Sequence, residues 1–473
     1  MDQSNYNAVT PEIIDALNEI APKRVFVNGE INSDYSHDEM PIYGKHIPDV
    51  VVEPLTTEEI ADIMRLCNEN RIPITPRGAG TGLVGGAVPV YGGVLLVLTR
   101  MNRIISYDLD NLTVTVQPGV LLNDLNEDAL SRGLLYPPDP GEKFATLGGN
   151  VSTNAGGMRA VKYGCTRDYV KEMTVVLPTG EIIHVGGAVS KNSSGYSLLH
   201  LLIGSEGTLG VITELTLKLI PRPKETVSLI IPFEDMDSCI SAVPLFFKNH
   251  LNPQALEFMD RTIVDSSEAF VGKQVFPRSV DGVEVQAYLL TTFDGDSAEA
   301  LESVCETAGE ILLEAGALDV FVADTAALKQ NAWAARSSFL EAIMADTKLL
   351  DECDVVVPVT EISDFLKYVN SLEAITGLQI KSFGHAGDGN IHIYCCSNHL
   401  DETAFILKAA DFMDRVYSKA AERGGQVSGE HGIGVAKINY LRKSVGPVNM
   451  RLMQDIKKAF DPNLILNPGK VCM

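Results

Sequence analysis

The sequence predicts an α+β protein of at least two domains, and three observations support this class. The chain has 473 residues, whereas a single hydrophobic core stops growing at roughly 250–300 residues. Its first part alternates apolar runs with a helical pattern and glycine-rich turns, which is typical of β-α-β units. From about residue 222, strand-like segments no longer alternate strictly with helices, which is typical of an antiparallel α+β fold.

The first predicted element is a β-α-β unit in residues 50–98. Val50–Val52 has the composition of a buried strand, and Ile72–Thr75 and Gly93–Leu98 are predicted as the next two strands. Between the first two strands, Thr56 and Glu59 have the spacing of a capping box. Apolar residues then recur at the helical period, so the sequence predicts a helix here.

Three glycine-rich blocks adjoin the predicted strands. They are PRGAGTGLVGGAVP, which begins at residue 76, then YPPDPGEKFATLGGNVSTNAGGMRAVKYG at 136–164, and YSLLHLLIGSEGTLGVITELTLKLIP at 196–221. Each block alone is more simply a surface turn, but glycine lets backbone N–H groups approach phosphate closely. Together they predict one long ligand lying across several loops, for which a dinucleotide is the natural candidate. The first block fits neither the Rossmann fingerprint nor the P-loop pattern.

The second half of the chain has a different pattern, and PRPK near residue 221 marks the change. The segments ETVSLIIPF, LNPQALEFMD and EVQAYLLTTFDGD are predicted strands, and SAEALESVCETAGEILLEAG is a predicted helix. Near the C-terminus, ILKAADFMDRVYSKAAERGG and NMRLMQDIKKAF are helical by period.

Composition limits the possible functions. The formal charge of −24 argues against nucleic acid or anionic lipid as a partner, because both are bound through an excess of Lys and Arg. The sequence contains no apolar run of membrane-spanning length and no signal-peptide pattern, so we expect a cytoplasmic protein. The eight cysteines lack clustered spacing, which predicts reduced thiols and excludes a conventional four-cysteine iron–sulfur cluster.

The stretch FGHAGDGNIH, residues 383–392, brings two histidines to one bend. If Asp388–Gly389 is the two-residue turn of a hairpin, His385 and His392 face each other with Cβ atoms about 4.5–5.5 Å apart. Both imidazoles could then bind one divalent ion. The alternative is a hydrogen-bonded histidine pair in a polar turn.

The stretch SGEHGIG places Glu430 and His431 between glycines. Adjacent side chains generally point in different directions, so one of them can bind metal while its neighbour has another role. The alternative is a surface salt bridge for Glu430 and no particular role for His431.

The glycine-rich blocks resemble the FAD-binding domain of vanillyl-alcohol-oxidase-type flavoenzymes. With GHAGDGNIH, SGEHGIG and the terminal LNPGK, the chain resembles the branch containing FAD-linked D-2-hydroxyacid dehydrogenases and the flavoprotein subunit of glycolate oxidase. It is also similar to the large subunit of electron-bifurcating lactate dehydrogenases. The resemblance extends from about residue 45 to the C-terminus. It implies a two-part FAD-binding domain over residues 1–221, an antiparallel α+β substrate cap over 222–420, and a helical C-terminal segment, 421–473, that returns to the FAD domain.

The resemblance also implies which residues contact FAD. The pyrophosphate would lie on the first block, at Pro76, Arg77, Gly78, Ala79, Gly80, Thr81, Gly82, Leu83, Gly85 and Gly86. The isoalloxazine and ribityl chain would touch Pro138, Asp139, Gly148, Gly149, Ser152, Asn154, Ala155 and Gly156, and the adenine half would lie near Glu206, Gly207, Gly210 and Ile212. Residues 76–93 and 136–164 contain neither His nor Cys, which favours non-covalent FAD, and Cys165 lies just outside.

The family's active site implies roles for five further residues. Carried over, His385, His392 and Glu430 bind a divalent metal (Zn, Fe or Mn), His431 is the base, and Arg336 binds the substrate carboxylate. The metal would act as a Lewis acid on the substrate alcohol, the histidine would take its proton, and the flavin would accept the electron pair. From sequence alone, Arg336 is equally an exposed helix arginine. Asn390 either orients the substrate or only shapes the turn.

One departure from the family bears on the substrate. Relatives that use 2-hydroxyglutarate carry a lysine where this chain has Glu352, in DECDVVVP. A carboxylate there would repel a second substrate carboxylate, which favours D-lactate or glycolate. The alternatives are a 2-hydroxyglutarate-type dehydrogenase and a non-bifurcating glycolate oxidase subunit. The expected electron acceptor is an electron-transferring flavoprotein or an iron–sulfur subunit, in a hetero-oligomer.

Three other classes are compatible with parts of the pattern. A non-haem iron oxygenase also uses two histidines and one carboxylate, but it does not need glycine-rich nucleotide loops. A non-enzymatic flavin-binding subunit needs no base. A flavoenzyme of the same fold acting on phenols or ether lipids would lack the metal.

Overall fold

Two units make up the chain in the computed structural model, which describes residues 5–40, 45–323 and 325–473. Unit 1 comprises Met1–Gly156, Cys165–Arg222 and Glu430–Met473, and unit 2 comprises Gly157–Gly164 and Pro223–Gly429. The chain passes from unit 1 to unit 2 at 222/223 and back at 429/430, and the short segment 157–164 belongs to unit 2. The predicted domains, 1–221, 222–420 and 421–473, stay predictions.

The strands of the described residues are β1 Val25–Val27, β2 Val50–Val52, β3 Ile74–Arg77, β4 Val94–Val97, β5 Ile104–Asp108, β6 Thr113–Val116, β7 Leu134–Leu135, β8 Val170–Val176, β9 Ile182–Gly186, β10 Val211–Lys218, β11 Ile220–Pro221, β12 Glu225–Phe233, β13 Ala255–Asp260, β14 Ser279–Val280, β15 Val283–Glu284, β16 Ala287–Gly295, β17 Phe321–Ala323, β18 Leu349–Val356, β19 Gln379–His385 and β20 Asn390–Ser397.

The α-helices of the same residues are α1 Pro11–Ile20, α2 Thr57–Glu69, α3 Leu122–Ser131, α4 Leu147–Thr153, α5 Ala160–Tyr163, α6 Leu198–Leu202, α7 Met236–Lys248, α8 Arg261–Val271, α9 Ala298–Glu314, α10 Ala326–Ser337, α11 Phe339–Asp346, α12 Ile362–Thr376, α13 Glu402–Glu422 and α14 Ile438–Phe460. Short 3-10 helices span Asn28–Glu30, Ser33–Ser36, Thr166–Asp168 and Val359–Glu361.

The first sheet of unit 1 contains the β-α-β element that the sequence predicts. Its strand order is β1-β2-β4-β3, and β4 runs parallel to both β2 and β3. Helix α2 begins after Thr56, whose side chain accepts the N–H of Glu59 at 3.2 Å, which is one of the two bonds of a capping box. The Glu59 carboxylate accepts the N–H of Leu55 at 2.7 Å. The strand β3 is followed directly by the first glycine-rich block, so the sheet positions that block.

A second sheet of unit 1 positions the other two blocks. Its order is β5-β6-β10-β8-β9, and every pair is antiparallel. The third block leads into β10, the central strand. The C-terminal residues return to the first sheet, because Leu466 bridges to Ile74 and the N–H of Asn467 donates to the Ile74 carbonyl at 2.7 Å.

Unit 2 is built on one antiparallel sheet of seven strands in the order β17-β12-β16-β13-β19-β20-β18. Helices α8, α10 and α11 contribute to the apolar core on one face, with Ile263, Ala335 and Phe339 all fully buried or nearly so. The central strands β13, β19 and β20 carry buried polar side chains among apolar ones, and these side chains form part of the candidate site.

The α+β class that the sequence predicts is confirmed. Both units mix helices with sheets, and unit 2 has the antiparallel pattern expected from residue 222 onward. None of the helices in the described part of the chain combines the length and the apolar composition that crossing a bilayer requires.

Candidate active site

The first and third glycine-rich blocks and residues 136–156 of the second block meet within unit 1. A Cβ added to Gly78 of the first block would lie 2.2 Å from Thr146 Oγ1 of the second block, so only glycine allows this approach. The N–H of Glu206, in the third block, donates to the carbonyl of Ser152 at 2.7 Å. The residues predicted to contact one long ligand therefore lie in one part of the fold.

The first block has the geometry of a loop that can receive phosphate. Gly80 and Gly85 adopt φ of +83° and +72°, which turn the backbone sharply. Asp38 anchors the loop, because its Oδ2 accepts the N–H of Gly85 at 2.5 Å. A Cβ added to Gly82 would have this same Oδ2 as its nearest neighbour, 3.9 Å away. The loop therefore leaves room for a ligand beside Gly82.

Several predicted cofactor residues also make contacts within the protein. Arg77 donates to the carbonyls of His37 and Asp34 at 2.8 and 3.1 Å. Asp139 pairs with Lys143, with Oδ1 and Nζ 2.5 Å apart. These contacts show how the protein holds the blocks, and the contacts of Arg77 and Asp139 with FAD stay predictions.

Three members of the third block and its strand also pack within unit 1. Gly207 lies against Pro76, because an added Cβ would be 2.7 Å from its Cγ. Gly210 packs against Val175, and Ile212 is buried in β10. Their predicted contacts with the adenine half of FAD also stay predictions.

The hairpin that carries the two histidines is present, but the predicted register is wrong. His385 pairs with Asn390 and His392 pairs with Phe383, so the loop contains the four residues 386–389 rather than a two-residue turn. The N–H of Gly389 bonds to the carbonyl of His385 at 3.1 Å and closes this wider loop. A shift of two residues preserves the face on which each side chain lies. The two imidazoles are therefore diagonal neighbours on one face, and their Nε2 atoms lie 3.5 Å apart.

A buried carboxylate orients His385. Nδ1 of His385 lies 2.7 Å from Glu257 Oε1, and the guanidinium of Arg336 donates through Nε and Nη2 to Glu257 Oε2 at 2.8 and 2.5 Å. Burial disfavours the charge of Glu257, but the nearby His385 and Arg336 outweigh it and lower the pKa of this carboxyl below its ordinary value. The carboxylate keeps the proton on Nδ1, so Nε2 presents its lone pair toward His392.

Arg336 is buried rather than exposed on its helix. Only 6% of the residue is accessible, and its Cζ lies 4.7 Å from the centre of the Phe383 ring. Its ion pair with Glu257 is an arrangement that sequence reasoning did not consider. The role of Arg336 toward a substrate carboxylate stays a prediction.

A second buried carboxylate holds the other side of the hairpin. Asp354, opposite His392 in the register, accepts the Asn390 amide at 2.6 Å through Oδ1. Its Oδ2 accepts the Ser428 hydroxyl at 2.7 Å and the N–H of Gly429 at 3.0 Å. Asn390 is thus fixed by strand contacts, and the chain that leads to Glu430 is fixed on the same carboxylate.

The segment that begins at Glu430 belongs to unit 1. An added Cβ on Gly156 would lie 2.8 Å from Glu430 Oε2, so the second glycine-rich block approaches this carboxylate closely. His431 Nε2 is 3.9 Å from Glu430 Oε1. Two residues further on, the N–H groups of Ile433 and Gly434 each donate to Glu206 at 2.7 Å.

The histidine pair in unit 2 has the donor set and spacing that a metal needs. Two nitrogen ligands at about 2.0–2.1 Å from one ion lie about 3.3–3.4 Å apart in tetrahedral geometry, and the two Nε2 atoms are 3.5 Å apart. The second nitrogen of His385 is held by a carboxylate, as is usual for metal-bound histidine. His385 and His392 therefore fit two ligands of a divalent ion.

Two known domain families match this chain. Residues 48–186 match the FAD binding domain, and residues 222–471 match the C-terminal domain of FAD linked oxidases. The chain belongs to the FAD-linked oxidase family. FAD binding and oxidoreductase activity follow from that membership, and the resemblance drawn from the glycine-rich blocks is confirmed.

Members of the FAD-linked oxidase family are similar over the whole chain. D-lactate dehydrogenase of Anaerostipes hadrus is 64% identical over 472 residues, which cover 100% of this chain and 99% of that protein. Glycolate oxidase subunit GlcD of Bacillus subtilis is 39% identical over 92% of this chain and 91% of that protein. The solved structure of p-cresol methylhydroxylase with substrate bound has a TM-score of 0.79 at 20% identity, over 97% of this chain and 95% of that one. This last likeness supports the predicted vanillyl-alcohol-oxidase-type fold alone.

Sequence reasoning missed Glu257, Asp354 and the backbone role of Glu206. One signal was available for the first two, because each is an acidic residue inside an apolar strand segment, ALEFMD and CDVVV. Acidic side chains are almost never fully buried unless they are paired. No comparable signal identified their partners, because Arg336 and Ser428 are distant in sequence.

Proposed function

We propose that this FAD-linked oxidase is a metal-dependent dehydrogenase that oxidises a small D-2-hydroxy acid to the 2-oxo acid, with D-lactate or glycolate as its substrate. The observation that carries the substrate assignment is the 64% identity, along the whole chain, to a protein named D-lactate dehydrogenase. A second relative of that name, from Archaeoglobus fulgidus, is 40% identical over 89% of this chain. Both support D-lactate over glycolate as the first substrate to test.

The proposed metal ligands are His385, His392 and Glu430. Support for the third ligand comes from chain connectivity, because Gly429 is tied to Asp354 at 3.0 Å and Asp354 is paired with His392 in the sheet. Consecutive Cα atoms are 3.8 Å apart, so Glu430 directly follows a residue anchored beside the histidine strand. Two neutral imidazoles and one carboxylate leave a divalent ion with a formal charge of about +1, which suits an anionic substrate. Zn, Fe and Mn all accept this donor set.

His431 is the proposed base. An imidazole titrates near pH 6.5 and can take a proton at neutral pH, and the segment that carries His431 is held by two hydrogen bonds to Glu206. When bound, the metal would act as a Lewis acid on the substrate hydroxyl, and FAD would accept the electron pair. The protein's own contribution is to hold the substrate and to remove the hydroxyl proton at His431.

Arg336 and Glu352 are the proposed determinants of substrate charge. The bonds to Glu257 use Nε and Nη2 of Arg336, so Nη1 is the donor that would meet the substrate carboxylate. Glu352 is buried, and its Oε1 lies 3.8 Å from His392 Nδ1. A negative charge at this position disfavours a second substrate carboxylate, which supports a monocarboxylate over 2-hydroxyglutarate.

The electron acceptor is proposed to be a protein, either an electron-transferring flavoprotein or an iron–sulfur subunit. Among the described residues, the groups of side chains close enough to bind one metal ion contain no cysteine, so they supply no thiolate ligands for an iron–sulfur centre. The proposed assembly is therefore a hetero-oligomer, and the proposed location is the cytoplasm.

Anaerobic mixing of the FAD-loaded protein with hydroxy acids tests the proposal. D-lactate is expected to bleach the flavin absorbance, whereas L-lactate is not, and D-2-hydroxyglutarate is expected to react more slowly than D-lactate. Metal analysis of the same sample is expected to give about one ion per chain, and His385→Ala with His392→Ala is expected to lose it. Bleaching by D-2-hydroxyglutarate alone would favour the 2-hydroxyglutarate alternative. Failure of every hydroxy acid to bleach the flavin would reject the function.

A further inference from the structure

We propose that Glu206 is a positioning residue for His431, and that it links the glycine-rich blocks to the proposed base. This inference rests on the proposed function of His431. Glu206 is buried, and its two carboxylate oxygens accept the N–H groups of two successive residues, Ile433 and Gly434, at 2.7 Å each. Both bonds lie within three residues of His431, so the carboxylate determines the path of the chain that carries the imidazole.

The shape of the segment depends on this contact. Gly432 has φ of +87°, and an added Cβ would lie 2.9 Å from the Glu206 carboxyl carbon. Gly434 has φ of +49°, and an added Cβ there would lie 2.0 Å from the Val84 carbonyl oxygen. Two glycines therefore let the segment turn between Glu206 on one side and the first glycine-rich block on the other.

Glu206 is itself held by every part of unit 1 that forms the predicted cofactor site. Its own φ is +51°, its N–H donates to Ser152 at 2.7 Å, and its carbonyl accepts the Asn467 amide at 2.8 Å. The same Asn467 amide nitrogen donates to Gly86 at 2.9 Å. Glu206, a residue of the third block, is thus tied directly to the second block and through Asn467 to the first.

A carboxylate suits this task better than an amide. Two N–H donors side by side need two acceptor atoms, and Glu offers both, whereas Gln has one carbonyl oxygen and an NH₂ group that cannot accept. Both oxygens of Glu206 are used in this way, so the side chain holds two adjacent backbone groups. Misplacement of a reacting group by about 1 Å can reduce a rate about 10²-fold.

The test compares Glu206→Gln with Asp461→Asn. Asp461 is the control, because it is a fully buried carboxylate of unit 1 that also accepts two successive N–H groups, those of Ile465 and Leu466 at 3.2 and 2.8 Å. It differs from Glu206 in pairing with Lys457 as well, at 2.6 Å. It makes no contact with the His431 segment in the described structure. We expect Glu206→Gln to keep its FAD, to lose kcat about 10²-fold with a smaller change in KM, and to exchange the amide hydrogens of peptide 431–437 faster. We expect Asp461→Asn to lose stability while kcat changes less than about threefold.

Hydrogen exchange separates this inference from the proposed function. If wild-type protein oxidises no hydroxy acid but Glu206→Gln still accelerates exchange in peptide 431–437, the proposed function fails and the anchoring role stands. Loss of FAD from Glu206→Gln, or unchanged kcat and exchange, would overturn the inference. If Glu206→Gln does not fold, Gly432→Ala addresses the same contact from the other side and should give the same loss of kcat and faster exchange. Normal kcat and exchange in Gly432→Ala would also overturn it.

Discussion

Glu206 in unit 1 and Glu257 in unit 2 are both buried carboxylates, yet their partners differ in kind. Glu206 accepts two uncharged backbone N–H groups, whereas Glu257 accepts from an imidazole and a guanidinium. Burial raises the pKa of the Glu206 carboxyl above its ordinary value despite these bonds and two nearby lysines. Burial acts in the same direction on Glu257, but His385 and Arg336 lower its pKa overall.

The difference shows that burial alone does not determine what a carboxylate does. Backbone N–H groups fix the course of the chain without adding a full charge, so Glu206 determines where a loop lies. A cationic partner fixes the charge state as well as the geometry, so Glu257 determines the tautomer of His385 and the orientation of Arg336. Glu206 in unit 1 therefore determines the position of a loop, whereas Glu257 in unit 2 determines the charge state and orientation of side chains.

Replacing His431 by Asn would remove the proposed base while leaving the position of its segment unchanged. The Glu206 contacts involve backbone groups of Ile433 and Gly434, so they should survive the change. We expect kcat to fall about 10²–10⁴-fold because a general base is lost, with FAD content and hydrogen exchange of peptide 431–437 unchanged. Steady-state kinetics and exchange mass spectrometry measure the two quantities.

The control for that change is His200→Asn, which alters an exposed histidine of unit 1 that bonds to Ser197. Its kcat should equal that of the wild type. A His431→Asn enzyme with wild-type kcat would remove His431 as the base.

Replacing Glu257 by Ala would test whether its negative charge stabilises Arg336 and His385 in unit 2. The change leaves Arg336 and His385 buried without their carboxylate, and breaking a buried ion pair typically costs about 3–5 kcal/mol. We expect the free energy of unfolding to fall by that amount, and metal affinity in Glu257→Gln to fall about 10–100-fold. Chemical denaturation and metal titration provide the measurements.

Glu268 offers a matched control in the same unit. It is also buried, but it accepts only the backbone N–H groups of Val275 and Phe276, at 2.5 and 2.7 Å. Glu268→Ala should cost about 1–3 kcal/mol and leave metal affinity unchanged. Equal destabilisation by the two variants would contradict the distinction between the two kinds of carboxylate.

Glu352→Gln would test charge selection at the substrate. Removing the negative charge beside His392 should raise kcat/KM for D-2-hydroxyglutarate relative to D-lactate about tenfold, or about 1.4 kcal/mol. Asp351→Asn is the control, because adjacent strand residues point to opposite faces. The measured quantity is kcat/KM for D-2-hydroxyglutarate divided by kcat/KM for D-lactate. If this ratio is the same in the wild type and in both variants, Glu352 is excluded as a specificity determinant.

A further expected effect concerns Lys470, a buried neighbour of Glu206. Burial lowers the pKa of this amine from 10.5 to about 7. Between these values the unfolded chain binds the proton and the folded chain does not, so the free energy of unfolding should rise with pH across this window. Lys470→Met removes that contribution and should flatten the slope in denaturation curves at pH 7, 8 and 9. Lys458→Met, at an exposed position, should keep the wild-type slope, and an unchanged slope in Lys470→Met would be inconsistent with the lowered pKa.

Local sequence patterns were sufficient to predict the helices and strands, but they were insufficient to predict which residues contact one another at long range. The capping box at Thr56, the parallel strands around it and the antiparallel sheet of unit 2 are all visible in local periodicity. The register of the histidine hairpin was missed because the loop of residues 386–389 contains four residues, and turn residues alone do not fix loop length.

Long-range contacts were the part that sequence could not supply. Glu257 meets Arg336 from 79 positions away, and Glu206 meets Ile433 from 227 positions away. The assignment of residues 157–164 to unit 2 has the same cause. Gly387 packs against Val161, where an added Cβ would lie 2.3 Å from a side-chain methyl, and no pattern within that segment indicates this contact.

The return of the C-terminal residues to the first sheet has a consequence for biosynthesis. Unit 2 ends at Gly429, whereas unit 1 needs residues up to Asn467, whose backbone bonds to Ile74 and whose amide holds Gly86. A chain leaving the ribosome from its N-terminus can therefore complete unit 2 before it completes unit 1. The glycine-rich blocks acquire this support only after Asn467 has been synthesised, so loading of the flavin is expected to follow synthesis of that segment.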